Sequence, residues 1–149
     1  MKKVRLLLIV GIFLLIPMIS ACSDSDEIEE IREQFFVSQI ESIHMNLDRY
    51  TGRTLRLEGL FISWHDEWET GGTYYFVLRY LSDDCCGQGG GSSVGFVLYM
   101  GDFEPLPDNA WVQVTGVLEL KDTWMPNYPV LVVTELEQRD VRGAEIVFR

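Results

Sequence analysis

Thr54-Leu-Arg-Leu-Glu-Gly-Leu-Phe-Ile-Ser-Trp64 is the stretch whose reading decides the fold. Leu55 and Leu57 alternate with polar residues, as in a strand with one buried face, and the alternation breaks step at Gly59. A glycine inside a strand commonly marks a bulge or a sharp bend of a barrel wall. The same design recurs in Ala110-Trp-Val-Gln-Val-Thr-Gly-Val-Leu-Glu-Leu120, with Gly116 in mid-strand. Between the two lie Thr73-Tyr-Tyr-Phe-Val-Leu-Arg-Tyr-Leu81 and Val94-Gly-Phe-Val-Leu-Tyr99, separated by a Gly-rich segment over 82–93. Residues 101–109 contain Pro105 and Pro107 and form a connection with at most a helical turn. Val130 to Leu136 is the fifth clear strand, and a short tail strand near Glu145 to Phe148 is compatible with the pattern. Five strands, two of them curled at glycine, with a long connection between the third and fourth, predict a mainly β, OB-like Greek-key barrel over residues 50–140. A small β-sandwich is the rival architecture.

Upstream of the barrel the period changes. Ile28, Ile31, Phe35, Ile40, Ile43 and Leu47 keep helical spacing, with Glu29, Glu30, Glu33 and Glu41 on the other face. This predicts one amphipathic α-helix over 28–48, with Asp26 and Glu29 as an N-cap pair and Tyr50-Thr51-Gly52 as its end. It is expected to pack on the barrel or to link it to the preceding tether, residues 22–27. Residues 141–149 form a C-terminal tail.

The first 21 residues are of another kind. Lys2, Lys3 and Arg5 precede an apolar run from Leu6 to Ile19, too short to span a bilayer comfortably. The run ends in Ile19-Ser20-Ala21-Cys22, which resembles the lipobox of bacterial lipoproteins, whose cysteine carries a diacylglycerol after the leader is removed. The expectation is a lipid-anchored protein of the cell envelope, attached at Cys22 to the extracytoplasmic face of a bacterial membrane. Three of the 12 Lys and Arg and none of the 23 Asp and Glu fall in this leader. The remainder carries nine basic against 23 acidic side chains, a formal charge of −14. Such a field repels phosphodiester backbones and makes nucleic acid a poor ligand.

With Cys22 lipidated, Cys85 and Cys86 are the remaining thiols, and they are adjacent. No long-range disulfide framework follows from them. Neighbouring side chains in a strand point to opposite faces, but Gly87, Gly89, Gly90 and Gly91 give the backbone freedom to bring both thiols round. Four readings stay open. The pair binds a soft or divalent metal, with His65, Asp83 or Asp84 completing the sphere. It cycles between dithiol and vicinal disulfide. It is a permanent vicinal disulfide that stiffens a loop, or it is packing alone. His65-Asp66-Glu67-Trp68-Glu69 occupies the first hairpin loop, where a cation site competes with a plain solvated tip. His44 reads as a surface histidine of the helix.

Among the aromatics, Trp64, Tyr74, Tyr75, Tyr80, Trp111 and Tyr128 alternate with apolar residues and are expected mostly in the core or in cross-strand pairs. Trp68 and Trp124 stand in loop-like surroundings and are the candidates for contacting a sugar or peptide ligand. No Ser-His-Asp order, nucleophile elbow, HExxH or phosphate loop occurs.

"YTGRTLRLEGLF", "YYFVLRYLSDDCCG", "WVQVTGVLEL" and "PVLVVTELEQ" together resemble the C-terminal, OB-like Cys-Cys domain of an uncharacterised bacterial membrane-protein family, the subunit of a two-component permease complex. The resemblance covers residues 50–137, and Arg79 followed by Cys85-Cys86 is its most specific element. It implies an OB-type fold and an integral-membrane permease, or another envelope protein, as partner. The sequence departs from the family where Gly87-Gln88-Gly89 follows the cysteines and where a lipid anchor replaces transmembrane helices. Together these readings predict a non-enzymatic accessory or interaction protein of an envelope or transport complex. A metal-binding accessory protein and a thiol-redox protein, both using Cys85 and Cys86, are the alternatives.

Overall fold

The computed structural model describes residues 27–67, 71–82 and 92–148. Strand β1 (Ile28–Glu30) is followed by a 3-10 turn at Glu33–Phe35, helix α1 (Phe36–Met45) and a single turn α2 (Leu47–Tyr50). Then come β2 (Thr54–His65), β3 (Thr73–Leu81), β4 (Ser93–Tyr99), β5 (Ala110–Lys121), β6 (Tyr128–Gln138) and β7 (Ile146–Val147). The strand order is β1-β2-β5-β6-β4-β3-β7, and β2 also pairs with β3. That second pairing closes five strands, β2-β5-β6-β4-β3, into a barrel. Its pairs are antiparallel except β4 with β6, which the long 100–109 connection makes parallel. This is the Greek-key connectivity of an OB-type barrel, as the strand pattern predicts.

The bend at Gly59 allows one strand to serve two neighbours. The first half of β2 pairs with β5 from Thr54 to Phe61, and its second half pairs with β3 from Leu60 to His65. A Cβ on Gly59 would lie 2.8 Å from the carbonyl oxygen of Leu78, so the crossing strand leaves no room for one. The second glycine-marked irregularity is a register shift at Thr115/Gly116 against β6, which curls the opposite wall.

Inside, Leu55, Leu57, Phe61, Val77, Phe96, Leu98, Val112, Val114, Leu118 and Leu131 fill the barrel, and α1 stops one end with Phe36, Val37, Ile40 and Ile43. Each such fully buried aliphatic or aromatic side chain contributes about 1.5–3 kcal/mol of transfer free energy. Outside, cross-strand neighbours Ile62, Phe76, Val97 and Val130 make a second apolar row over β2, β3, β4 and β6.

The N-terminal segment departs from the single helix expected over 28–48. Ile28–Glu30 is a strand parallel to the start of β2, and the α-helix begins only at Phe36. The reason is tertiary. Where β3 leaves β2, the main chain of Thr54 to Arg56 needs a partner, and β1 supplies it, with Ile31 N–H donating to Arg56 O at 2.8 Å. Phe35, placed by spacing on the apolar stripe, is 51% exposed. The helix breaks at Asn46, whose side-chain amide donates to Ser42 O at 2.7 Å, and α2 then runs on to Tyr50. Asp26 of the expected cap pair lies outside the described residues, and Glu29 is in a strand.

Candidate functional site

Each end of β3 carries a polar-aromatic cluster. At the end toward Leu81, Arg79 points inward and is 1% exposed. Its Nε donates to Glu58 O at 2.9 Å, and Nη1 donates to Glu33 Oε2 at 3.2 Å. Its guanidinium lies 4.4 Å from the centroid of Phe36 and 4.9 Å from that of Trp111. β2–β3 pairing ends at Leu60 with Leu78, so Arg79 takes up a carbonyl the ladder has abandoned. Burial pushes the Arg79 pKa down, while the Glu33 and Glu58 carboxylates hold it up, and the group stays charged.

The same cluster ties both terminal segments to the barrel. Glu33 Oε2 accepts from Ala144 N–H at 3.0 Å, and that bond, followed by Arg79, lowers the Glu33 pKa. A Cβ on Gly143 would sit 2.3 Å from Glu33 Oε2 and 2.9 Å from Trp111 Cζ2, so only glycine lets the tail approach. Trp111 Nε1 donates to Glu58 Oε2 at 3.3 Å. Every group here is engaged by another, which makes Arg79 a positioning residue for three segments rather than a reactive one.

The opposite end of β3 is open. Trp64 of β2 faces Tyr74 across the hairpin, the rings stacked at 5.9 Å. Trp124, from the β5–β6 loop, stands edge-on to Tyr74 at 4.9 Å, tilts over Phe76 at 6.0 Å and meets Tyr128 at 4.7 Å. The loop is shaped by Asn127, at φ 52°, whose N–H donates to Asp122 Oδ1 at 3.0 Å. These rings form a platform on the outer face of the barrel, continuous with Ile62 and Phe76, between the β2–β3 and β5–β6 loops. Trp64 is 50% exposed, and Met125 beside the cluster is 48% exposed. The hydroxyl of Thr123, next to Trp124, is the buried side-chain polar atom that finds no hydrogen-bond partner among the described residues. Lys121 is the nearest cation in sequence, and it is held by Glu119 at 2.9 Å and by the Tyr99 ring.

Of the residues singled out by sequence, Trp124 is thus half-buried among rings rather than freely exposed, and Trp64 is the aromatic with the open face. Trp68 lies outside the described residues, as do Cys22, Asp83, Asp84, Cys85 and Cys86. The chain leaves the described part at Ser82 and re-enters at Ser92, whose carbonyl accepts from Leu81 N–H at 2.9 Å. His65 sits at the other end of β3 from that segment, with Nδ1 3.1 Å from Thr73 Oγ1. Among the described residues no three His, Cys, Asp or Glu side chains come together as a metal-binding group. Asp66 is buried in the hairpin, its N–H donating to Gly72 O. His44 is exposed with its ring edge-on to Phe96 at 5.0 Å, and desolvation there lowers its pKa. Tyr75 stacks inward on Phe61, and Trp111 is 1% exposed, in keeping with the core role expected of most aromatics. Glu33, Glu58 and Gly143 carry no sequence signal of their own. Of this cluster, the sequence singled out Arg79, as part of the family resemblance, and Trp111, as an expected core aromatic.

The fold and the Arg79 cluster define a closed OB-type barrel whose two terminal segments are built into its wall. The chain belongs to the family of the DUF1980 C-terminal domain, an uncharacterised family whose model matches residues 17–149. The match takes in β1, α1 and β7 together with the barrel. No curated protein and no solved structure matches the chain.

Proposed function

We propose that this protein is a lipid-anchored, extracytoplasmic and non-enzymatic OB-type domain that serves an envelope or transport complex, and that it meets its ligand through the Trp64–Tyr74–Trp124–Tyr128 platform. The observation that carries the reading is the position of the platform. It lies between the two hairpin loops that OB barrels use for ligands, with the Trp64 face half-exposed. Charge narrows the ligand. Stacked rings alone would suit single-stranded nucleic acid, but the chain carries −11 overall and its nearby lysine is already paired. Sugar rings or apolar peptide segments suit the same surface without that repulsion. Anchorage rests on the leader and Cys22 in the sequence. Among the described residues no helix is long and apolar enough to cross a membrane.

The test expresses the full chain in a bacterium grown with an alkyne-tagged fatty acid, with a photo-crosslinking residue at position 64. We expect tag incorporation that Cys22→Ala abolishes, and a crosslink to an envelope component that Trp124→Ala removes. A chain without lipid, recovered in the soluble fraction, would overturn the anchorage. A crosslink indifferent to Trp124 would overturn the role of the platform.

A further inference from the structure

The barrel sheet carries two appended edge strands, β1 and β7, and they are finished differently. Both run parallel to their neighbours, so alternate residues of each direct their N–H and C=O away from the sheet. In β1 these are Ile28 and Glu30, since Arg56 bonds on to Ile31. For Glu30, one of these groups is covered. Its outward carbonyl is taken by Gln39 Nε2 at 3.2 Å, and Gln39 Oε1 accepts from Arg32 N–H at 2.9 Å. A side chain of α1 thus covers one outward carbonyl of this edge, one of the ways proteins blunt an exposed strand.

In β7 the equivalent residue is Ile146. Tyr80 and Ser82 donate to Glu145 O and Val147 O, on either side of it, at 2.9 and 3.0 Å. Ile146 therefore turns its main-chain groups outward, and among the described residues neither has a partner. They border a cavity of about 510 Å³ between the start of α1 and β7. Its lining includes Phe35, Ile146 and Phe148, which are 51%, 56% and 64% exposed. Glu33 and Glu41 are its charged members, and no described Lys or Arg side chain lines it.

We propose that the β7 edge and this groove form a second binding surface, which takes an extended peptide segment with alternating apolar and basic residues as an added strand. An unpaired main-chain edge calls for an extended chain. The three exposed apolar side chains suit the residues that such a chain turns toward the groove. The net charge of −11 favours a basic segment and opposes a second copy of this acidic protein. The surface is independent of the aromatic platform, which lies at the other end of β3.

The test uses the full chain in mild detergent, fluorescein-labelled Lys-Val and Glu-Val alternating peptides, and a Lys-Val peptide interrupted by a central proline. Anisotropy should report saturable binding of the uninterrupted Lys-Val peptide, with slowed amide exchange at Ile146 and Phe148. Ile146→Pro removes an outward N–H while leaving the bonds to β3, and edge strands tolerate proline. It should weaken binding about tenfold at an unchanged melting temperature. Phe35→Ser should do the same from the helix side, which keeps the test decisive if the proline perturbs β7. Equal binding of the Glu-Val or interrupted peptide, or no binding of any probe, overturns the proposal. So does sedimentation as a dimer that Ile146→Pro dissociates, because the edge would then belong to a second copy.

Discussion

The two ends of β3 present aromatic rings and polar groups in opposite states. At Arg79 a cation is enclosed by two rings, a carboxylate and a carbonyl. At Tyr74 the rings stack on one another, with Trp64 half-exposed and, among the described residues, no cation-ring contact at the cluster. The lesson concerns saturation. A cluster whose members satisfy each other can hold segments together, and has nothing left to offer a ligand. A cluster that is apolar and half-covered gains free energy when something else covers it.

Of the two ends, substitution should cost most at Arg79. Arg79→Met leaves Glu58 O and Glu33 without their cation, and should cost about 3–5 kcal/mol in urea unfolding. A loss below about 1 kcal/mol would show that the cluster does not hold the barrel together. Trp124→Ala removes three ring contacts, each worth about 0.5–1.5 kcal/mol, from a half-buried position. A loss of about 1–2 kcal/mol is expected, and a loss matching Arg79→Met would make the platform a second core rather than a surface.

The third effect is smaller and depends on pH. The Glu33 carboxyl lies below its ordinary pKa of 4.5 because Ala144 N–H, and then Arg79, favour its ionised form. A depressed carboxyl contributes stability that is present above 4.5 and disappears as pH falls through the folded-state value. The stability difference between wild type and Glu33→Gln should therefore shrink as pH falls from neutrality to below 4.5. A difference independent of pH would mean that the charge of Glu33 is irrelevant and only its geometry matters. Smallest of all is Trp64→Ala, expected within about 0.5 kcal/mol of wild type while it abolishes ligand capture. Unchanged capture would remove Trp64 from the site.

The barrel was legible because its signal is local. Alternation through Leu55 and Leu57, broken at Gly59, marks a curled strand whatever surrounds it. The tail strand at Ile146–Val147 was visible for the same reason. The N-terminal segment misled because Ile28 and Ile31 fit a helix equally well by spacing. What decided between helix and strand was the unpaired main chain of β2, which lies more than 20 residues downstream. Trp124 shows the converse error. Its neighbours Asp122, Thr123 and Pro126 read as an open loop, and only the fold brings Tyr74, Phe76 and Tyr128 against it.

By itself, then, the sequence determined the strands, their curl and the acidic charge. These depend on periodicity, glycine and net charge, which are properties of short stretches or of simple sums. Tertiary structure alone decided that Glu33, Glu58, Arg79, Trp111 and Gly143 form one cluster, that Trp64 and Trp124 share one platform, and that Gln39 covers Glu30 O at the β1 edge while Ile146 at the β7 edge has no outward partner among the described residues. Each of these joins residues far apart in the chain, and their proximity exists only once the barrel has closed.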